Sequence, residues 1–155
     1  MAAEIVRIAE QLRRAVEGNA WHGPAVLEIL QDVDAPTAAA HPIADAHSIW
    51  EILNHITVWT RAPILRLGGQ AVELDGADDW PPVSDTSEAS WQEAVARFRA
   101  AQQELLAKLK SMSNDELGMT VPGKNYSNSF MLYGVVQHHL YHAGQMAVLK
   151  KATKK

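Results

Sequence analysis

The chain has 155 residues, 47% of them hydrophobic and 21% charged, which suits one globular domain over 1–155 and excludes a long disordered tail. Fourteen Lys and Arg against eighteen Asp and Glu give a net charge of -4. Phosphate backbones attract a positive excess, so no nucleic-acid partner is expected. Cysteine is absent, which excludes disulfides, thiolate metal ligands and a cysteine nucleophile; any thiol chemistry must borrow its thiol.

The first residues, MAAEIVRIAEQLRRAVE, interleave charges with apolar side chains and hold no stretch of signal-peptide length. No segment approaches the run of about eighteen apolar residues that spans a membrane. A soluble, cytoplasmic protein without membrane contact is expected. Over 3–18 the apolar residues Ile5, Ile8, Ala9, Leu12, Ala15 and Val16 recur at three- and four-residue spacing, which predicts an amphipathic helix stopped by Gly18 and Asn19. After an interruption at Trp21, His22 and Gly23, Pro24 suits the first turn of a second segment over 24–32. Residues 33–46, with two prolines and no sustained period, read as a loop.

The next helix should start near His47 or Ser48, with Ser48 and Glu51 forming a capping box, and run through Ile49, Ile52, Leu53, Ile56 and Trp59 to Gly68 and Gly69. Pro63 cannot donate to the carbonyl four residues back, so a bend is expected there. The connection 69–86 is long for a compact domain and suggests a crossover or a lid. A third helix is predicted over 87–112, a turn-rich link over 118–127 and a last helix over 129–151, with lysines 150, 151, 154 and 155 at its C-terminal end. The expected fold is all-α, a four-helix bundle with at least one connection that crosses it.

Seven histidines stand at 22, 41, 47, 55, 138, 139 and 142. At about 100° per residue, His142 lies about 40° from His138, with Met131 and Leu149 about 20° away, which puts both imidazoles in the apolar stripe of the last helix. Buried imidazoles without partners cost roughly 1–3 kcal/mol each, so something must satisfy them. Two histidines at i and i+4 project from one face and can converge on a divalent ion. The same spacing is also met by hydrogen bonds to a neighbouring helix, so the pair by itself leaves both readings open. His138-His139-Leu140-Tyr141-His142 has no Glu at its second position, which leaves the zinc-protease mechanism without its base.

His55, about 60° from Ile52 and about 40° from Trp59 on the second long helix, borders an apolar arc and can bring a third imidazole into the core. His139, about 100° from His138, is assigned to a helix interface or to support of the ligands. His41 and His47 read as exposed or capping; His22 reads as a possible pocket residue or as exposed. Glu51 and Gln145 can orient imidazole N–H groups, or serve as a cap and a bundle hydrogen bond. Trp50, Trp59 and Tyr141 can wall a pocket or belong to the core.

These pieces together resemble the DinB-like (YfiT-like) family. His138-His139-Leu140-Tyr141-His142-Ala143-Gly144-Gln145 is similar to its His-x-x-x-His-x-Gly-Gln signature. The segment from Ser48 to Ile56 is similar to its helix-two segment, and Trp21-His22-Gly23-Pro24 and Asp79-Trp80-Pro81-Pro82 resemble one branch. The resemblance implies a four-helix bundle with one divalent ion, commonly nickel or zinc, on His55, His138 and His142, and a homodimer. It further implies activities of two kinds: transfer or isomerisation with low-molecular-weight thiols such as bacillithiol, mycothiol or glutathione, and hydrolysis.

Three neutral nitrogen ligands leave such an ion open to water or a small-molecule substrate. The expected function is therefore that of a metal-dependent enzyme in which the three-histidine site activates a low-molecular-weight thiol for S-transfer to an electrophile. Two alternatives stand beside it: a hydrolase using metal-bound water, or a non-catalytic, stress-associated metal-binding protein.

Overall fold

In the computed structural model, residues 3–154 are described. Helix α1 spans Glu4–Glu17, α2 Val26–Leu30, α3 Ala35–Ala39, α4 Ile49–Leu67, α5 Gly76–Asp79, α6 Glu88–Lys110 and α7 Asn128–Thr153, with a 3₁₀ turn at Asp115–Gly118. Apart from one isolated bridge between Thr120 and Ser127, no β pairing occurs among the described residues. The four long helices form the bundle. Helix α4 packs on α6 and α7, and α1 packs on the same two, so the order around the bundle is α1, α6, α4, α7. Connections from α1 to α4, which include 33–46, and from α6 to α7 therefore cross it, whereas the 69–86 connection joins the neighbours α4 and α6 and is not a crossover.

Local chemistry explains the boundaries. Ser48 Oγ accepts from the Glu51 N–H at 3.2 Å while Glu51 accepts from the Ser48 N–H at 2.7 Å, closing the capping box that opens α4. Ser87 and Ser127 cap α6 and α7 by the side chain alone, accepting from the N–H groups of Ser90 and Phe130. Gly18 ends α1 at φ 143°, a conformation strained for any side chain, and a Cβ there would lie 3.1 Å from the Glu28 carboxylate that closes the first turn of α2.

Several expectations need correction. The 33–46 segment is not all loop, because Asp34 accepts from the Thr37 N–H at 3.0 Å and Pro36 fits the first turn of α3, where a missing N–H costs nothing. Pro24 lies outside α2, whose N-cap is Ala25. Helix α4 itself ends where expected, at Leu67 before Gly68, with Pro63 inside it. The 69–86 connection carries the short helix α5. Lys150 and Lys151 fall in the last turn of α7; Lys155, and residues 1 and 2 of the expected domain, lie outside the described residues.

The core has two parts. One gathers Trp50, Leu53, Ile56, Trp91, Phe98 and Met146 around α2 and α3, and there the Trp91 indole donates to the Val33 carbonyl at 2.7 Å. The other gathers Ile8, Leu12, Leu105, Leu109 and Leu132, where Gln102 donates to the Leu12 carbonyl at 3.2 Å. No helix among the described residues is long and apolar enough to cross a membrane.

Candidate metal centre

Helices α4 and α7 bring three imidazoles face to face. Nε2 of His138 stands 3.0 Å from Nε2 of His55 and 3.1 Å from Nε2 of His142. The remaining ring nitrogens decide what this cluster can hold. His55 Nδ1 lies 2.9 Å from the main-chain oxygen of Asp79 and 3.2 Å from its Oδ1, and both atoms can only accept. Nδ1 therefore carries the proton and Nε2 the lone pair. His142 Nδ1 donates likewise to Gln145 Oε1 at 2.6 Å.

Two lone pairs thus point at His138 Nε2, and a neutral His138 has at most one proton to offer them. One contact remains lone pair against lone pair, a conflict that a cation at the common point removes. These three groups can together hold a metal ion. Burial reinforces the arrangement. It pushes the His138 and His142 imidazoles down to about 4, their neighbours adding to the effect, and it lowers His55 as well, against the opposing pull of Asp79. All three are neutral at pH 7, the state a metal requires.

The surrounding residues come from the connection between α4 and α6. Asp79, at the end of α5, accepts from the Trp59 indole at 2.5 Å as well as facing His55. Trp80 lies flat against His55, centroids 3.8 Å apart and 9° from parallel, and its other face stacks on His47 at 3.7 Å. The 69–86 segment is therefore a strap that closes one side of His55, in keeping with the expected lid. Neither Asp79 nor Trp80 received a role from sequence beyond a resemblance. The available signal was the placement of a carboxylate and an indole in an overlong connection.

His139 takes the helix-interface place expected of it, but at the centre of the buried face. The apolar stripe of α7 runs through Met131, Leu132, Val135, His139, Met146 and Leu149, with His139 fully buried near its centre and His138 and His142 together on one side of it. Thr60 Oγ1 donates to the Ile56 carbonyl at 2.7 Å and so accepts from His139 Nε2 at 2.9 Å. Phe98 meets the ring edge-on at 5.8 Å. His139 accordingly serves the helix interface. Nδ1 of His138 and of His139 is buried without a hydrogen-bond partner among the described residues.

The other candidates separate cleanly. His22 is exposed beside a fully exposed Trp21. His41 and His47 are exposed and approach Glu51 at 3.0 and 3.5 Å. Glu51 is the α4 cap and does not reach His55, whereas Gln145 orients His142. Trp50 belongs to the core against Trp91, and Tyr141 is mostly exposed with its edge on His142. Trp59 walls a cavity of about 310 Å³ that opens beside His55 and His138 and continues along α4 to Pro63 and Arg66.

A family model described as the DinB superfamily matches residues 20–146. A crystal structure described as a conserved protein of locus from Enterococcus faecalis is similar over 99% of each chain, with a TM-score of 0.75 at 15% identity, a likeness that shows the fold alone. No curated protein matches the chain.

Proposed function

The chain belongs to the DinB superfamily, and from that premise we propose that it is a metal-dependent enzyme: one divalent ion, nickel or zinc, is held by His55, His138 and His142, and a low-molecular-weight thiol is activated there for S-transfer to an electrophile. The supporting observation is the enforced tautomer of two imidazoles, whose Nδ1–H groups are committed to Asp79 and Gln145 while both Nε2 lone pairs meet His138. Bound in this donor set, the ion supplies a Lewis acid that lowers the pKa of a thiol or a water molecule.

The chain's own residues do the rest. Asp79 and Gln145 hold the rings in register. Trp80 covers His55 and limits water on that side. Asp79 is already engaged by the Trp59 and His55 N–H groups, which leaves it poorly placed as a general base toward water. A thiol held by the ion would need no protein base to become a thiolate, and a cysteine-free chain must take its thiol from outside. The homodimer belongs to the same reading: Phe130, Tyr141 and Val148 expose an apolar stripe along α7, and sedimentation tests it.

Elemental analysis of protein purified without a histidine tag, followed by S-conjugation assays with bacillithiol, mycothiol and glutathione, tests the function. One ion per chain, lost in His55→Ala, is expected together with thiol-dependent turnover. Unchanged metal content in His55→Ala refutes the three-ligand site.

A further inference from the structure

Arg66 is buried, only 3% exposed, yet it has no carboxylate partner among the described residues. Its side-chain hydrogen bonds go to one acceptor, the Val72 carbonyl, from Nε at 3.2 Å and Nη2 at 2.7 Å. Glu73, the acidic group that feels its charge, is ion-paired with Lys124. Buried arginines are ordinarily paired, because their charge is costly to strip of water. Arg66 also lines the cavity beside the imidazoles, and the guanidinium edge not bonded to Val72 is the donor it has left to offer.

Geometry joins the two ends. The guanidinium carbon stands 5.7 Å from the centre of the Trp59 ring, and that ring stands 6.3 Å from His55 and 5.7 Å from His138. One indole therefore separates a fixed positive charge from the three-histidine cluster. The rest of the wall is largely apolar, from Trp59, Pro63, Phe130, Met131 and Val135, with Tyr126 the one further residue that carries a hydroxyl. A volume of about 310 Å³ lies at the lower end of the roughly 300–1,000 Å³ usual for small-molecule sites. Asp79 adds negative charge at the imidazole end, so an anionic group is repelled there and drawn to Arg66.

We propose that this cavity binds a small apolar or aromatic carboxylate, its carboxylate held by Arg66, its body stacked along Trp59 and its far end presented to His55, His138 and His142. The identification as the substrate seat rests on the reading of those imidazoles as the reaction centre; the carboxylate seat itself does not. Planar, bidentate recognition is what a guanidinium offers a carboxylate and an ammonium does not.

Calorimetric titration of the full-length protein, metal-free and nickel-loaded, with 3-phenylpropionate and with its uncharged amide tests the seat. The acid is expected to bind the metal-free protein at least tenfold more tightly than the amide, as a charge-assisted hydrogen bond requires. Arg66→Met should bring the ratio near one, and Arg66→Lys should keep part of it. A Cβ at Gly134 meets nothing within 4 Å, so Gly134→Leu should fold, fill the cavity and abolish binding of both probes while nickel binding persists. Equal affinity for acid and amide, no binding of either, a preference that survives Arg66→Met, or one present only with nickel, where the carboxylate would be a metal ligand, overturns the proposal. If Arg66→Met does not fold, the wild-type ratio and Gly134→Leu decide. Loss of nickel binding with the acid preference intact would instead refute the metal site alone.

Discussion

Replacing Gln145 by Ala removes the acceptor of the His142 Nδ1 proton, which donates to it at 2.6 Å. Without that acceptor the ring can adopt the other tautomer or turn, and either change takes the Nε2 lone pair away from the common point. Loss of such a supporting contact typically costs about 10- to 100-fold in metal affinity, or about 1.4–2.7 kcal/mol. Gln145 is only half-buried, so water partly replaces it and the loss should lie nearer tenfold. Asp79→Asn provides the contrast. His55 Nδ1 keeps the main-chain oxygen of residue 79 at 2.9 Å, so the ring keeps its tautomer and what is lost is charge. Its effect should shrink as salt is raised, because screening acts on charge, whereas that of Gln145→Ala should not. Chelator-competition titrations with nickel at pH 7.5, at low and high salt, with melting curves to verify folding, measure both. An unchanged affinity in Gln145→Ala, in a protein whose His142→Ala variant binds no metal, would refute the tautomer argument.

Thr60→Val removes the partner of the buried His139 Nε2 and should destabilise the fold by about 1–3 kcal/mol, read as a lower Tm with metal content unchanged; an unaltered Tm would mean that the hydroxyl does not satisfy the ring. Acid should destabilise the metal-free protein. His138 and His142 are held down to about 4 and His139 to about 3, in each case chiefly by burial, whereas the unfolded chain takes up these protons near 6.5. The unfolded state therefore binds more protons through this window, and stability, full above about pH 6.5, declines as pH falls toward 4. A Tm flat between pH 7 and pH 4.5 contradicts it. Gly144 sits mid-helix with open space where a Cβ would be, so Gly144→Ala should stabilise by up to about 1 kcal/mol in denaturant melts; destabilisation would reveal a contact at that face.

The secondary structure was legible because its causes are local. Ser48, Ser87 and Ser127 each satisfy an N–H within their own first turn, and the three- and four-residue spacing of Ile5, Ile8 and Leu12 needs no partner to be read. Short helices were harder. Asp34 with Pro36 makes a helix start, but five residues are too few to show a period. Arg66 also carried a signal that went unused: eleven residues after His55 at about 100° each bring it back to within about 20° of the same face of α4.

Sequence by itself determined that several histidines share helix faces with apolar residues, that no cysteine can join them, and that two long connections must be accommodated. Only the tertiary structure decided which imidazoles meet. Helix α7 is covered by α1, α2 and α4 at once, so its buried arc is wide and the spacing within one helix cannot tell its centre, His139, from the one edge that carries His138 and His142. Convergence of His55 with those two depends on the relative rotation of two helices, and the burial that keeps all three neutral depends on a strap that returns Asp79 and Trp80 across the chain. Those are properties of packing between distant segments, and no local pattern encodes them.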